Sequence, residues 1–163
     1  MKTKIILLLS IILFFVSSAI FSNKKNVFIN IKTSIEPNII NIGEEGILKI
    51  KVTPAMHVRI SSSPEFVIRL NKNDSGIVFT KNFFTASELE FKTKQEGNNV
   101  FLDLAKEILI PFKIESSFPN SHKISGKIIF TAVEKKDNWS VKTFQTFSTI
   151  FKSKIEKSNS KKK

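Results

Sequence analysis

Two histidines, no cysteine and a few closely spaced carboxylates are what this chain of 163 residues offers to acid–base, nucleophilic or metal chemistry. Without a thiol it cannot carry out disulfide exchange, hold a metal through thiolates or accept a thioether lipid. His57 follows Pro54-Ala55-Met56 at the start of an extended run, and His122 stands in a Pro119-Asn120-Ser121-His122 turn. Neither has a second ligand at metal spacing, so each reads as structural or surface histidine, and no metal or cofactor is expected. Glu44-Glu45 falls in a turn, and Glu88-x-Glu90 reads as the solvated face of a strand; both are surface charge before they are acid–base machinery. The chain has no nucleophile elbow, no glycine-rich phosphate loop and no HExxH pattern. The expectation is a protein that is not an enzyme. Asn73-Asp74-Ser75 and Asn138-Trp139-Ser140 match the glycosylation sequon, which matters only in a eukaryotic secretory pathway.

The residue with the greatest binding potential is Trp139, the only tryptophan in a chain without tyrosine. It follows a charged turn, and the run Glu134, Lys135, Lys136, Asp137, Asn138, Trp139 is the candidate partner-binding hairpin. An exposed indole on such a loop is a common interface anchor. The competing role is a plug folded back over the end of the core.

These residues must be positioned by strands. The apolar content is dominated by isoleucine and by 16 phenylalanines, types that suit a pleated surface, and it recurs with period two. Ile29, Ile31 and Ile35 alternate with Asn30, Lys32 and Ser34, and Leu48, Ile50 and Val52 alternate with Lys49 and Lys51. Phe66, Ile68 and Leu70 follow, then the polar run from Asn71 to Gly76, which reads as a hairpin turn before Ile77-Val78-Phe79. Lys92 to Asn99 is polar and exposed. Ile108, Ile110, Phe112 and Ile114 alternate again, with Pro111 marking an edge position or a bulge. Ile124–Val133 and Val141–Phe151 are long strands joined by a turn over Lys135 to Asn138. Eight or nine strands without a credible helix predict an all-β, antiparallel β-sandwich over residues 27–151.

The ends carry different signals. Lys2 and Lys4 precede an apolar run from Ile5, and Ser17-Ser18-Ala19 offers small residues for cleavage. Residues 1–19 therefore read as a signal peptide and the protein as periplasmic or secreted; the alternative is an uncleaved segment anchoring it to the inner membrane. Residues 152–163 read as a disordered, lysine-rich tail that accounts for much of the net charge of +12. Lys152, Lys154, Lys157, Lys161, Lys162 and Lys163 give an alternative function, a basic envelope protein docking on an anionic membrane surface. Nucleic acid is disfavoured as a partner, because no aromatic residue is interleaved from Lys152 onward to stack on bases.

Several segments taken in order resemble the N-terminal, immunoglobulin-like periplasmic domain of DsbD-type thiol:disulfide interchange proteins. They are the run Pro37 to Gly43 leading into Ile47–Val52, the turn Pro54-Ala55-Met56-His57-Val58, the strand Leu109–Ile114 and the strand Ile124–Ala132. Met56 stands where the family's turn has an aromatic residue. The resemblance implies an immunoglobulin-like sandwich whose redox cysteines would fall at Val133 and Asn138, neither of which can relay electrons. It therefore implies an extracytoplasmic, non-catalytic binding or accessory module, with another envelope protein as partner. A scaffold role in an extracytoplasmic thiol-redox or cytochrome-maturation system is the alternative.

Overall fold

The computed structural model describes residues 28–64, 66–71, 76–116, 121–136 and 139–154. Alternating apolar and polar side chains produce strands wherever one face can be buried, and the described chain is strands joined by turns. In order they are β1 (Ile29–Glu36), β2 (Ile39–Asn41), β3 (Glu45–Pro54), β4 (Val58–Ile60), β5 (Val67–Leu70) and β6 (Ile77–Phe79). There follow β7 (Phe83–Thr85), β8 (Lys92–Glu96), β9 (Asn99–Asp103), β10 (Ile108–Ile114), β11 (Ser121–Glu134) and β12 (Ser140–Lys154). A four-stranded sheet has the order β1-β3-β10-β6, a six-stranded sheet has β2-β12-β11-β5-β7 with β4 also paired to β11, and β8 and β9 form a separate two-stranded hairpin. The fold is an all-β sandwich, as the sequence predicts. Among the described residues twelve strands stand in place of eight or nine, because β2, β4 and β7 are three-residue pieces and β8 is exposed along its whole length. One pairing is parallel, between β2 and the end of β12.

The core lies between the sheets. Leu48 and Ile50 from β3 and Ile110 from β10 are fully buried, opposite Ile68, Ile124, Ile128 and Phe130 of the second sheet. Each such side chain contributes about 1.5–3 kcal/mol on burial, so this core holds the domain without covalent staples.

Three expectations change. The polar run after β5 is not a hairpin: β5 pairs with β11 and β7, whereas β6 pairs with β10, so the chain crosses from one sheet to the other. Pro111 sits within an interior strand, yet its missing N–H costs the ladder nothing. Odd-numbered residues of this segment donate toward β6, as Glu115 does to Gly76, and β6 ends at Phe79, the partner of Phe112. Finally, β12 continues through Lys154, so Lys152 and Lys154 belong to the sheet rather than to a tail. The predicted signal segment and Lys157, Lys161, Lys162 and Lys163 lie outside the described residues.

Candidate binding site at the hairpin end

The β11–β12 hairpin and the turn between β3 and β4 build one end of the sandwich. Register along the long ladder brings Val133 opposite Ser140, and the Glu134 N–H closes the hairpin on the Trp139 carbonyl at 3.0 Å. Pro54 stops β3 because it cannot donate to a further ladder, and Ala55-Met56-His57 turns the chain into β4. Backbone bonds fasten that turn to its surroundings: Ala55 N–H to the Phe28 carbonyl, Val58 N–H to the Ala55 carbonyl and Lys135 N–H to the His57 carbonyl, each 2.9 Å. The Lys135 ammonium adds a bond to the Met56 carbonyl at 3.0 Å.

On this frame Trp139 is 42% exposed and meets Phe28 edge-on, with ring centroids 5.9 Å apart. It thus takes both roles the sequence allowed, one edge packed and the rest presented to solvent. Glu134 is buried, and its carboxylate accepts the Lys136 N–H at 2.6 Å, which rigidifies the turn. Lys135 and Lys136 are exposed. Asp137 and Asn138 lie outside the described residues, as does the Asn73 sequon. Val133 is half-buried, flanked by Ser140 and by Arg59 of β4. The strongest addition is Met56, 93% exposed beside this hairpin.

The other chemistry-bearing residues are scattered. His57 is exposed on the turn. His122 is not in a turn: it is fully buried on β11, with Nε2 2.8 Å from the Ser153 hydroxyl and its ring stacked 5.2 Å from Phe151. Glu88 is not on a strand. It sits in a helical turn after β7, where its carboxylate accepts the Thr85 N–H at 2.8 Å while the Thr85 hydroxyl accepts the Glu88 N–H. This reciprocal arrangement is a capping box, signalled in the sequence by Thr85-x-x-Glu88 and missed there. Lys81, at 2.6 Å, and these donors hold the Glu88 carboxyl down at about 2. Glu90 ends the turn at φ 53°. Hydrogen bonds from the Asn41 side chain and backbone likewise hold the Glu44 carboxyl below the usual carboxylate range.

A cleft of about 400 Å³ at the base of the β8–β9 hairpin is lined by Glu90, Phe91, Lys92, Asp103, Ala105 and Lys106. Its Asp103 is tied to Lys94 at 2.9 Å and to the Ala105 N–H at 3.1 Å, which lower its pKa and occupy its oxygens. Among the described residues no histidine or hydroxyl nucleophile lines the cleft, and no group of three or more His, Cys, Asp or Glu is placed to hold a metal ion.

No protein-family model matches the chain, and no curated protein sequence matches it. Among solved structures, it is similar to a cohesin module from a family 33 glycoside hydrolase of Clostridium perfringens, with TM-score 0.49 and 10% identity over 80% of this chain and 100% of that module. The major pilin subunit BcpA of Bacillus cereus gives TM-score 0.40 and 13% identity, over 77% of this chain and 40% of the pilin. The GAE domain of yeast GGA1 gives TM-score 0.39 and 10% identity, over 77% of this chain and 96% of that domain.

Proposed function

We propose that this chain is an extracytoplasmic, non-catalytic binding or accessory module that contacts a protein partner through the end of the sandwich formed by the β11–β12 hairpin and the Met56 turn. The observation that carries this reading is the pairing of an almost fully exposed methionine with a half-exposed tryptophan on a hydrogen-bonded frame. Methionine supplies an adaptable, polarizable contact and tryptophan a large rigid one. Because the frame is fixed before binding, little ordering entropy opposes association. Lys135 and Lys136 at the rim favour a partner with an acidic margin. Export rests on the apolar N-terminal run with its small-residue cleavage site. The resemblance to the DsbD-type domain is consistent with the same end serving as the contact, with Val133 and Asn138 where that family has its cysteines.

Site-specific photo-crosslinking in intact cells tests the assignment. A photoreactive side chain at Met56 should yield a discrete adduct that Trp139→Ala abolishes, while the same group at Leu109, exposed on the four-stranded sheet, should not yield it. Identical adducts from both positions, or an adduct indifferent to Trp139→Ala, would refute the site.

A further inference from the structure

The two outer faces of the sandwich differ in charge in a way composition does not predict. On the four-stranded sheet the outward positions mix signs: Lys32, Lys51 and Lys113 lie among Glu36 and Glu45, and Lys49 is paired with Glu36. On the six-stranded sheet the outward positions carry Arg59, Arg69, Lys123, Lys127, Lys142, Lys152 and Lys154, and among the described residues no strand of that sheet turns a carboxylate outward. Acids at its border are engaged: Glu96 of β8 is ion-paired with Arg59, Glu88 is held by Lys81 and Thr85, and Glu44 accepts from Asn41. Register places Lys127 beside Arg69, and Thr131 beside Lys142.

Exposed apolar side chains stand among these cations. Phe144 is 57% and Ile150 69% exposed on β12, and Ile39 lies beside Lys152 through the parallel pairing with β2. Phe83 closes the row on β7, next to Arg69. From this we infer that the outer face of the six-stranded sheet docks on an anionic lipid bilayer. The lysines meet headgroup phosphates while Phe144, Ile150 and Ile39 enter the interfacial layer. Charge complementarity requires a polyanion, and the apolar residues decide which one. Two of these three are isoleucines, which offer no ring to a nucleic-acid base, and the rings of Phe83 and Phe144 have Arg69 and Lys127 over them, at 6.0 and 5.7 Å. A bilayer needs no stacking surface. It needs aliphatic bulk between lysines spread along a strand, and Phe144 to Ile150 spans roughly 20 Å of it. The docking face is therefore the sheet itself, with Lys152 and Lys154 as its margin rather than as the start of a separate tail.

Co-sedimentation with sucrose-loaded vesicles tests this, using the chain without residues 1–19 so that the apolar N-terminal run does not itself insert. Binding is expected to phosphatidylglycerol–phosphatidylcholine vesicles, to weaken as salt rises, and to be lost on phosphatidylcholine alone. Each juxtamembrane cation is worth roughly fivefold in partitioning. Lys127→Gln with Lys142→Gln should therefore weaken binding about twentyfold, and Phe144→Ser with Ile150→Ser at least about tenfold. Lys32→Gln with Lys113→Gln removes the same charge from the other face and should change binding less than about twofold. Equal losses from the two lysine pairs would overturn the proposal, because net charge alone would then explain it. So would binding that disappears on truncation after Lys154 but survives both face variants. A single-stranded oligonucleotide that displaces the protein from vesicles and needs the same residues more strongly would assign the face to nucleic acid instead. All variants lie at exposed or half-exposed positions, and unchanged thermal melts would show that they fold.

Discussion

Gly126, on β11 next to Lys127, should not tolerate even one methyl group. A Cβ placed there would stand 2.7 Å from the Arg69 carbonyl oxygen and 2.8 Å from Cζ of Phe147. The two obstacles differ in kind. The phenylalanine ring is the far end of a side chain and can pivot. The carbonyl belongs to β5, which is held to β11 by the pairing of Gly126 with Leu70 and Lys127 with Arg69. Relief therefore means prising the two strands apart at the row that aligns Lys127 with Arg69. Overpacking of this kind costs about 1–3 kcal/mol, and the backbone nature of the contact argues for the upper part of that range. Losing glycine's unfolded-state freedom returns about 0.4–1 kcal/mol. Gly126→Ala should then destabilise by about 2 kcal/mol net, a fall of roughly 6–10 °C in Tm for a domain of this size.

Gly97→Ala is the matched control. A methyl group at Gly97 would meet nothing within 4 Å, but the backbone there has a φ of +59°, so the cost is conformational, about 1 kcal/mol. Urea and thermal unfolding followed by circular dichroism would measure both. Adding Phe147→Leu to Gly126→Ala separates the obstacles: if the carbonyl dominates, the two changes add to within about 0.5 kcal/mol, whereas strong rescue would indict the ring. Gly126→Ala within about 0.5 kcal/mol of wild type, or milder than Gly97→Ala, would refute the reasoning.

Ser153→Ala should cost about 1–3 kcal/mol, because it takes the hydroxyl from His122 Nε2 in a fully buried setting; a denaturant midpoint unchanged from wild type would remove His122 from the polar core. Glu88, whose pKa is depressed from 4.5 to about 2, contributes stability present above pH 4.5 and lost as the pH falls through about 2. Glu88→Gln should therefore flatten the acid limb of the stability–pH curve in that window, and a carboxyl resonance of Glu88 that titrates near 4.5 would contradict the capping-box geometry.

Where the sequence was legible, one face of a strand met the core. Leu48, Ile50 and Val52 of β3 and Ile108 to Ile114 of β10 alternate so strictly that register and facing follow directly. Where it was not, a long-range partner overrode a local signal. Asn71 to Gly76 has hairpin composition, but Ile77 and Phe79 pair with Ile114 and Phe112, contacts that no local pattern announces. Pro119-Asn120 reads as a turn, yet β11 begins at the next residue and carries His122 straight into the core, where Phe151 and Ser153 of β12 receive it. The strand β8 is exposed at every position and so has no hydrophobic period at all; only the two-residue Gly97-Asn98 turn marked it. At the candidate site, Trp139 was found by rarity, whereas Met56 was not, because nothing in the sequence distinguishes an exposed methionine from a core one.

The charge of the chain shows most clearly what placement adds to composition. Along the sequence, the lysines gather toward the end and suggest a solvated tail. In the sheet, the even-numbered residues of β12 all point outward, and strict alternation gathers Lys142, Phe144, Ile150, Lys152 and Lys154 onto one surface with Lys127 and Arg69. Period two is thus a sorting device: it sends Phe147, Phe151 and Ser153 into the core and every cation of the strand outward. The hairpin end and this face share the β11–β12 ladder but use different residues of it. From Trp139 to Lys152 the ladder runs roughly 40–45 Å, several Debye lengths at physiological salt, so charge changes at the Lys152 end leave the field at Met56 and Trp139 nearly unaltered. Lys142, three residues from Trp139, lies within about one Debye length of it. A module lying with its six-stranded sheet on a bilayer would then keep its hairpin end at the margin of the contact, open to a partner approaching along the membrane plane.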